Sequence, residues 1–159
     1  MRIAIFLFLA SIALLPVHAK EAPLVFMGDE EPAMQRAFEK ARATLDDFLK
    51  LAAQPPPQLD LFSLKVGITD GGRTEYFWIG DFKRRGDRFE GRIDNTPQMI
   101  KTVRLGQIYE FGRGQIVDWM YLDRPKRKMM GNFTFCALLS KEPPAKAAAQ
   151  RGQYNLDCD

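Results

Sequence analysis

The chain has 159 residues, 46% of them apolar and 27% charged, with 23 basic against 20 acidic side chains for a formal net charge of +3. So close a balance calls for no polyanionic partner and sets nucleic acid aside. A chain of this length buries about two thirds of its unfolded surface, enough for one core and not for two.

At the N-terminus Arg2 precedes an uncharged run from Ile3 to Leu15, and Pro16 ends it. Val17-His18-Ala19 then presents the small residues of a cleavage site, so residues 1–19 are read as a signal peptide cut between Ala19 and Lys20. The apolar run falls short of the ~20 residues of a membrane-spanning helix. No second such segment follows, so the processed product is expected to be periplasmic or secreted and not transmembrane. His18 is the single histidine and leaves with the leader. Without imidazole, serine–histidine–acid triads, cysteine–histidine dyads, histidine-rich zinc sites and histidine general bases are excluded. Ser63 and Ser140, the serines that remain, sit in neither a Gly-x-Ser-x-Gly elbow nor a Ser-x-x-Lys motif.

Asp29, Glu30, Glu31 and then Pro32 mark a helix start, and Pro55-Pro56-Pro57 marks its stop. Between them Met34, Ala37, Phe38, Ala41, Leu45, Phe48, Leu49 and Ala52 recur at three- and four-residue steps, which predicts an amphipathic helix over about 31–53. The period then falls to two. Phe62, Leu64, Val66 and Ile68 alternate with Ser63, Lys65 and Gly67, and Asp70-Gly71-Gly72 turns the chain back through Glu75 to Ile79 as a hairpin. Gly86-Asp87 reverses it again before Arg88 to Ile93, and Asn95-Thr96-Pro97 stops that strand.

Val103 to Phe111 is read as strand pieces bent at Gly106, and Ile116 to Leu122, beyond the Gly112-Arg113-Gly114 turn, as a central strand. Met129 to Leu139 fits both periods and is read as a strand, and residues 141–159 as a tail with at most one helical turn. The fold class expected is therefore α+β: one long N-terminal amphipathic helix packed on a twisted antiparallel sheet of five or six strands. One domain covers residues 20–140, with the sheet over about 60–139. Cys136 and Cys158 are expected to close a disulfide in an oxidising compartment. Two basic clusters, Lys83-Arg84-Arg85 with Arg88 and Arg92, and Arg124 with Lys126-Arg127-Lys128, fall at chain reversals and are read as solvated turns.

Ala41-Arg-Ala-Thr-Leu-x-x-Phe48, Glu75-Tyr-Phe-Trp78, Gly91-x-Ile-x-Asn-x-Pro97, Asp118-Trp-Met-Tyr121 and Gly131-Asn-Phe-Thr134 stand in fixed order. In these motifs, which cover most of residues 29–139, the chain resembles a bacterial family of unknown function, the YegJ-like proteins. The resemblance implies an envelope-associated or cytosolic β-rich domain without an established activity, and supplies no catalytic residues.

Without histidine, acid–base chemistry falls to carboxylates. Asp94, Asp118, Glu75 and Glu90 lie in or beside strands, and Asp94 with Asp118 is the pair proposed for a glycoside. Against this, Asp94 is expected to bond local backbone N–H groups and Asp118 to pair with an arginine. No metal site is expected: calcium-like spacing from Asp81 puts Lys83 and Arg85 at ligand positions. Gly112-x-Gly114 reads as a turn, not a nucleotide loop, so no cofactor is expected.

Tyr76 and Trp78 share one face of their strand, as do Trp119 and Tyr121 of theirs. Open to solvent, these aromatics with Arg92 beside them would form a binding platform. Turned inward, they would fill the core under the helix. Three functions are kept: an exported non-catalytic binding protein of the cell envelope whose partner is a protein or other envelope component, a histidine-free hydrolase of envelope glycans, and a membrane-surface protein using its basic turns.

Overall fold

Proline at the first helical position and a mixed-charge outer face give α1, Pro32–Ala53, which buries Met34, Ala37, Phe38, Ala41, Leu45 and Phe48. In this computed structural model residues 27–158 are described, and the signal peptide with its cleavage site lies outside them. After the three prolines come β1 (Leu59–Asp70), β2 (Arg73–Arg85), β3 (Arg88–Ile93), β4 (Ile108–Gly112), β5 (Ile116–Asp123) and β6 (Lys128–Gly131). Two helices, α2 (Phe133–Leu139) and α3 (Pro144–Tyr154), complete the chain.

The strands form one sheet in the order β4-β3-β2-β1-β5-β6. Every neighbouring pair is antiparallel. In a flat sheet β4 and β5 would lie four spacings, about 19 Å, apart. Yet only the 3-10 turn Arg113–Gln115 joins them, and the step from Gly112 to Ile116 spans at most about 14 Å. The sheet is therefore curled. Its inner face supplies Leu64, Val66, Phe77, Ile79, Ile93 and Phe111, all fully buried, to a core that takes Ala41, Leu45 and Phe48 from α1. Phe48 stacks on Trp119 at 4.9 Å between ring centroids, and Trp119 Nε1 donates to Ala41 O at 3.3 Å and Thr44 Oγ1 at 3.1 Å.

Three expectations are corrected. The stretch from Met129 to Leu139 is part strand and part helix, because the ladder stops at Gly131. Gly131 and Asn132 have φ of 78° and 56°, and the Asn132 carbonyl accepts from Phe135 N at 3.1 Å and Cys136 N at 3.2 Å, which starts α2. A Cβ at Gly131 would overlap the Trp119 carbonyl and ring, so this left-handed turn requires glycine. Residues 141–159 are not a tail of one turn: α3 has 11 residues, with a helix-starting proline and an alanine-rich body. Leu139, Ala147 and Leu156 form its own cluster, and Met129 bridges to Leu156. Gly106 marks a turn with φ 79°, not a strand bend. Ile100 and Val103 enter the core from a loop.

The Cys136–Cys158 disulfide is closed, tying α2 to the chain beyond α3.

Candidate functional site

Lys65 of β1 stands between Trp78 of β2 and Asp118 of β5 in the strand register. Directly paired residues project to the same side, so these three side chains share a face. Leu64, Ile79 and Trp119, one residue along, are likewise in register and point into the core. Lys65 Nζ lies 5.5 Å from the Trp78 ring centroid and donates to Thr134 Oγ1 at 2.9 Å. The Thr134 hydroxyl in turn donates to Asp118 Oδ2 at 2.7 Å.

Asp118 is 0% exposed. Its carboxylate accepts also from Thr134 N and Trp119 N, each at 2.8 Å. Burial pushes its carboxyl up, against the hydrogen bonds of Thr134 and the charge of Lys65. Burial likewise draws the Lys65 ammonium down, while Asp118 and Asp29 pull it back. The partner of Asp118 is thus a lysine acting through a threonine, where the sequence pointed to an arginine. An acid without solvent contact, with donors on both oxygens, cannot reach a substrate; it fastens α2 to β5.

Tyr76, two residues from Trp78, is half-buried on the same face, and its hydroxyl donates to Asp29. Burial first, and then that bond and the Asp29 charge, raise its pKa. Its ring centroid lies 6.1 Å from that of Phe38, and it packs against the cluster of Met34, Ala37, Phe38 and Ala137. Trp78 is also half-buried. Its backbone N–H is fixed by Asn95 Oδ1 at 2.8 Å, and its indole N–H makes no hydrogen bond among the described residues. The other two aromatics lie elsewhere: Trp119 is 8% exposed, and Tyr121 stacks on Phe62 at 5.3 Å in the same inner pile. The structure brings Tyr76 and Trp78 together, with Lys65 beside them, and places Trp119 in the core with Tyr121 half-buried against it.

Arg92 of β3 binds Asp81 through Nε at 3.1 Å and Nη2 at 2.8 Å, and Asp94 through Nη1. The three line a hollow of about 360 Å3 with Ser63, Gly80 and Phe82. Burial raises the Asp94 pKa against the pull of Arg92. Asp94 lines this hollow, whereas Asp118 is absent from its lining and fully buried, so the two share no open site as an acid–base pair. Glu90 is held by Arg85 at 2.6 Å.

Glu75, 7% exposed, fastens the loop after β3. It accepts from Gln98 N at 2.7 Å, Met99 N at 2.9 Å and Ile100 N at 3.1 Å. Burial alone would raise its pKa; the three backbone donors outweigh that and hold it below the usual carboxylate range.

The second basic cluster falls at the turn between β5 and β6, while the first lies in β2 and β3 on either side of their turn. Most of these cations are paired, Arg88 with Glu110, Arg124 with Asp60, Lys126 with Asp123 and Lys128 with Asp157. Among the described residues no group of three or more His, Cys, Asp or Glu could hold a metal ion, and no helix is long and apolar enough to cross a membrane. Sequence reasoning passed over Lys65 and Thr134. The one available signal was a lysine at the middle of an alternating strand.

The chain is 34% identical over 130 residues, 82% of its length and 82% of the relative's, to the "Uncharacterized protein YegJ" of Escherichia coli strain K12. No solved structure matches it. The model of the family described as uncharacterised proteins conserved in bacteria (DUF2314) matches residues 31–157. The resemblance read from the five motifs therefore holds, and the chain belongs to this family.

Proposed function

We propose that this is an exported, non-catalytic binding protein of the bacterial cell envelope, contacting a protein or other envelope component through the Tyr76–Trp78 face of its sheet. The observation that carries the reading is Trp78: an aromatic side chain half-open to solvent, its backbone fixed by Asn95 and its indole N–H left without a partner among the described residues. Pre-set aromatic groups with an unspent donor are favoured as interface anchors, because little side-chain entropy is lost on contact. Lys65 beside the ring adds positive charge. The closed disulfide is compatible with an oxidising compartment. The carboxylates speak against catalysis, since Asp118 is sealed and Asp94 is clamped by Arg92.

Capture from an envelope extract with wild type and Trp78→Ala tests the reading. A partner retained by wild type should be recovered at least tenfold less with the variant, and equal recovery of every partner would contradict it.

A further inference from the structure

Pairing of β2 with β1 ends at Ser63↔Gly80. Beyond it the two strands part: β1 runs back to Leu59 beside β5, while β2 continues to Arg85 paired to β3 alone. From Asp81 to Arg85 the β2 edge that faces away from β3 is therefore unpaired. Open edges of this kind accept an added strand. The break is built in: the β1 and β2 registers both slip here, and Leu61 and Asp81, facing one hollow, have φ of 54° and 50°.

Two hollows follow this edge, one of about 360 Å3 near Gly80 and one of about 610 Å3 toward the hairpin tip. Both are lined by Ala52 and Phe82, so they adjoin and together make a groove along α1 and the β2–β3 hairpin, with these two residues at its waist. Leu49 and Phe89 extend its apolar floor at the wider end. At that end the cations are unequally committed. Arg113 pairs with Asp46 at 2.9 Å and Lys50 with Asp47 at 3.2 Å. Lys83 and Arg84 have no ion pair among the described residues, since Glu90, opposite Lys83, is taken by Arg85. Asp87, the one unpaired carboxylate of this rim, leaves the balance positive.

We propose that this groove binds an extended peptide segment of a partner protein, added as a strand along Asp81–Arg85, with apolar side chains on the Phe82–Leu49 floor and a carboxylate side chain at Lys83 and Arg84. The free edge offers main-chain N–H and C=O groups that a lipid chain would leave unsatisfied, the alternation of a strand suits an apolar floor beside a charged rim, and the unpaired cations set the sign of the charge. The site is separate from the Trp78 face and does not depend on it.

Selection of a displayed library of random peptides on the purified, disulfide-closed protein tests this. Enriched peptides should alternate apolar residues with Asp or Glu. Synthetic copies should bind at least tenfold more weakly to the Lys83→Glu/Arg84→Glu variant and to Ala53→Trp, which fills the exposed mouth without touching the core. N-methylation of alternate peptide nitrogens, which removes main-chain donors and leaves the side chains, should weaken binding as much. Trp78→Ala should leave it unchanged. Enrichment of basic peptides, unchanged affinity in either groove variant or tolerance of N-methylation would overturn the proposal. So would a library without enrichment, which would leave the kinked backbone and Lys83 as guards against edge pairing.

Discussion

Glu75 shows how a carboxylate in a strand can be spent on architecture. Its two oxygens take three consecutive backbone N–H groups of the loop that delivers Ile100 to the core. Because its pKa is lowered in the folded state, its contribution is present above the unfolded carboxyl pKa and is lost as pH falls through the folded value. Hydrogen bonds to a charged group exceed those to a neutral one by about 1–1.5 kcal/mol, so Glu75→Gln should be less stable by roughly that amount at pH 7. Urea unfolding should show the two stability curves converging below about pH 4; a gap constant from pH 7 to pH 3 would contradict the assignment. The sequence marked Glu75 as a carboxylate able to act but not what it touches. Its donors, residues 98–100, sit in a loop without periodicity. Lys65 was obscured likewise: its partner Thr134 comes from an element whose alternation resembled a strand.

At the scale of elements, α1 and the β1–β2 hairpin were readable because apolar spacing and turn residues agree. The end of the chain was not. Phe133, Phe135, Ala137 and Leu139 alternate, but Phe133 and Ala137 also lie four apart and together face α1, while Leu139 serves α3. The choice between the two patterns is made by Gly131 and Asn132, whose left-handed backbone ends β6 and opens α2. Gly91 plays a comparable part within the sheet, since a Cβ there would come within 2.9 Å of the Gly80 carbonyl, at the point where β2 kinks. The small α3 cluster relies on the disulfide. Cys158→Ser, which opens a link between residues separated by 22 positions, should cost about 3 kcal/mol by chain entropy. Hydrogen exchange should then rise first in α3, with α1 and β1 still protected. Equal loss of protection throughout would contradict a separately anchored end.

For the molecule as a whole, α+β class and a helix-covered antiparallel sheet were legible, while the curl was not. The curl follows from the short step between β4 and β5, which joins strands that are not neighbours in the sheet. The pairing register, not the curl, divides the aromatics, setting Trp119 and Tyr121 on the inner face and Trp78 on the other. A strand pattern gives the parity of such residues but not which parity faces the core. The export and disulfide closure that we propose for this binding module are tested most directly by the unreduced intact mass and thiol content of protein recovered from its native host. A chain beginning at Lys20 without a free thiol is expected; a chain beginning at Met1 with two reactive thiols would contradict the proposal.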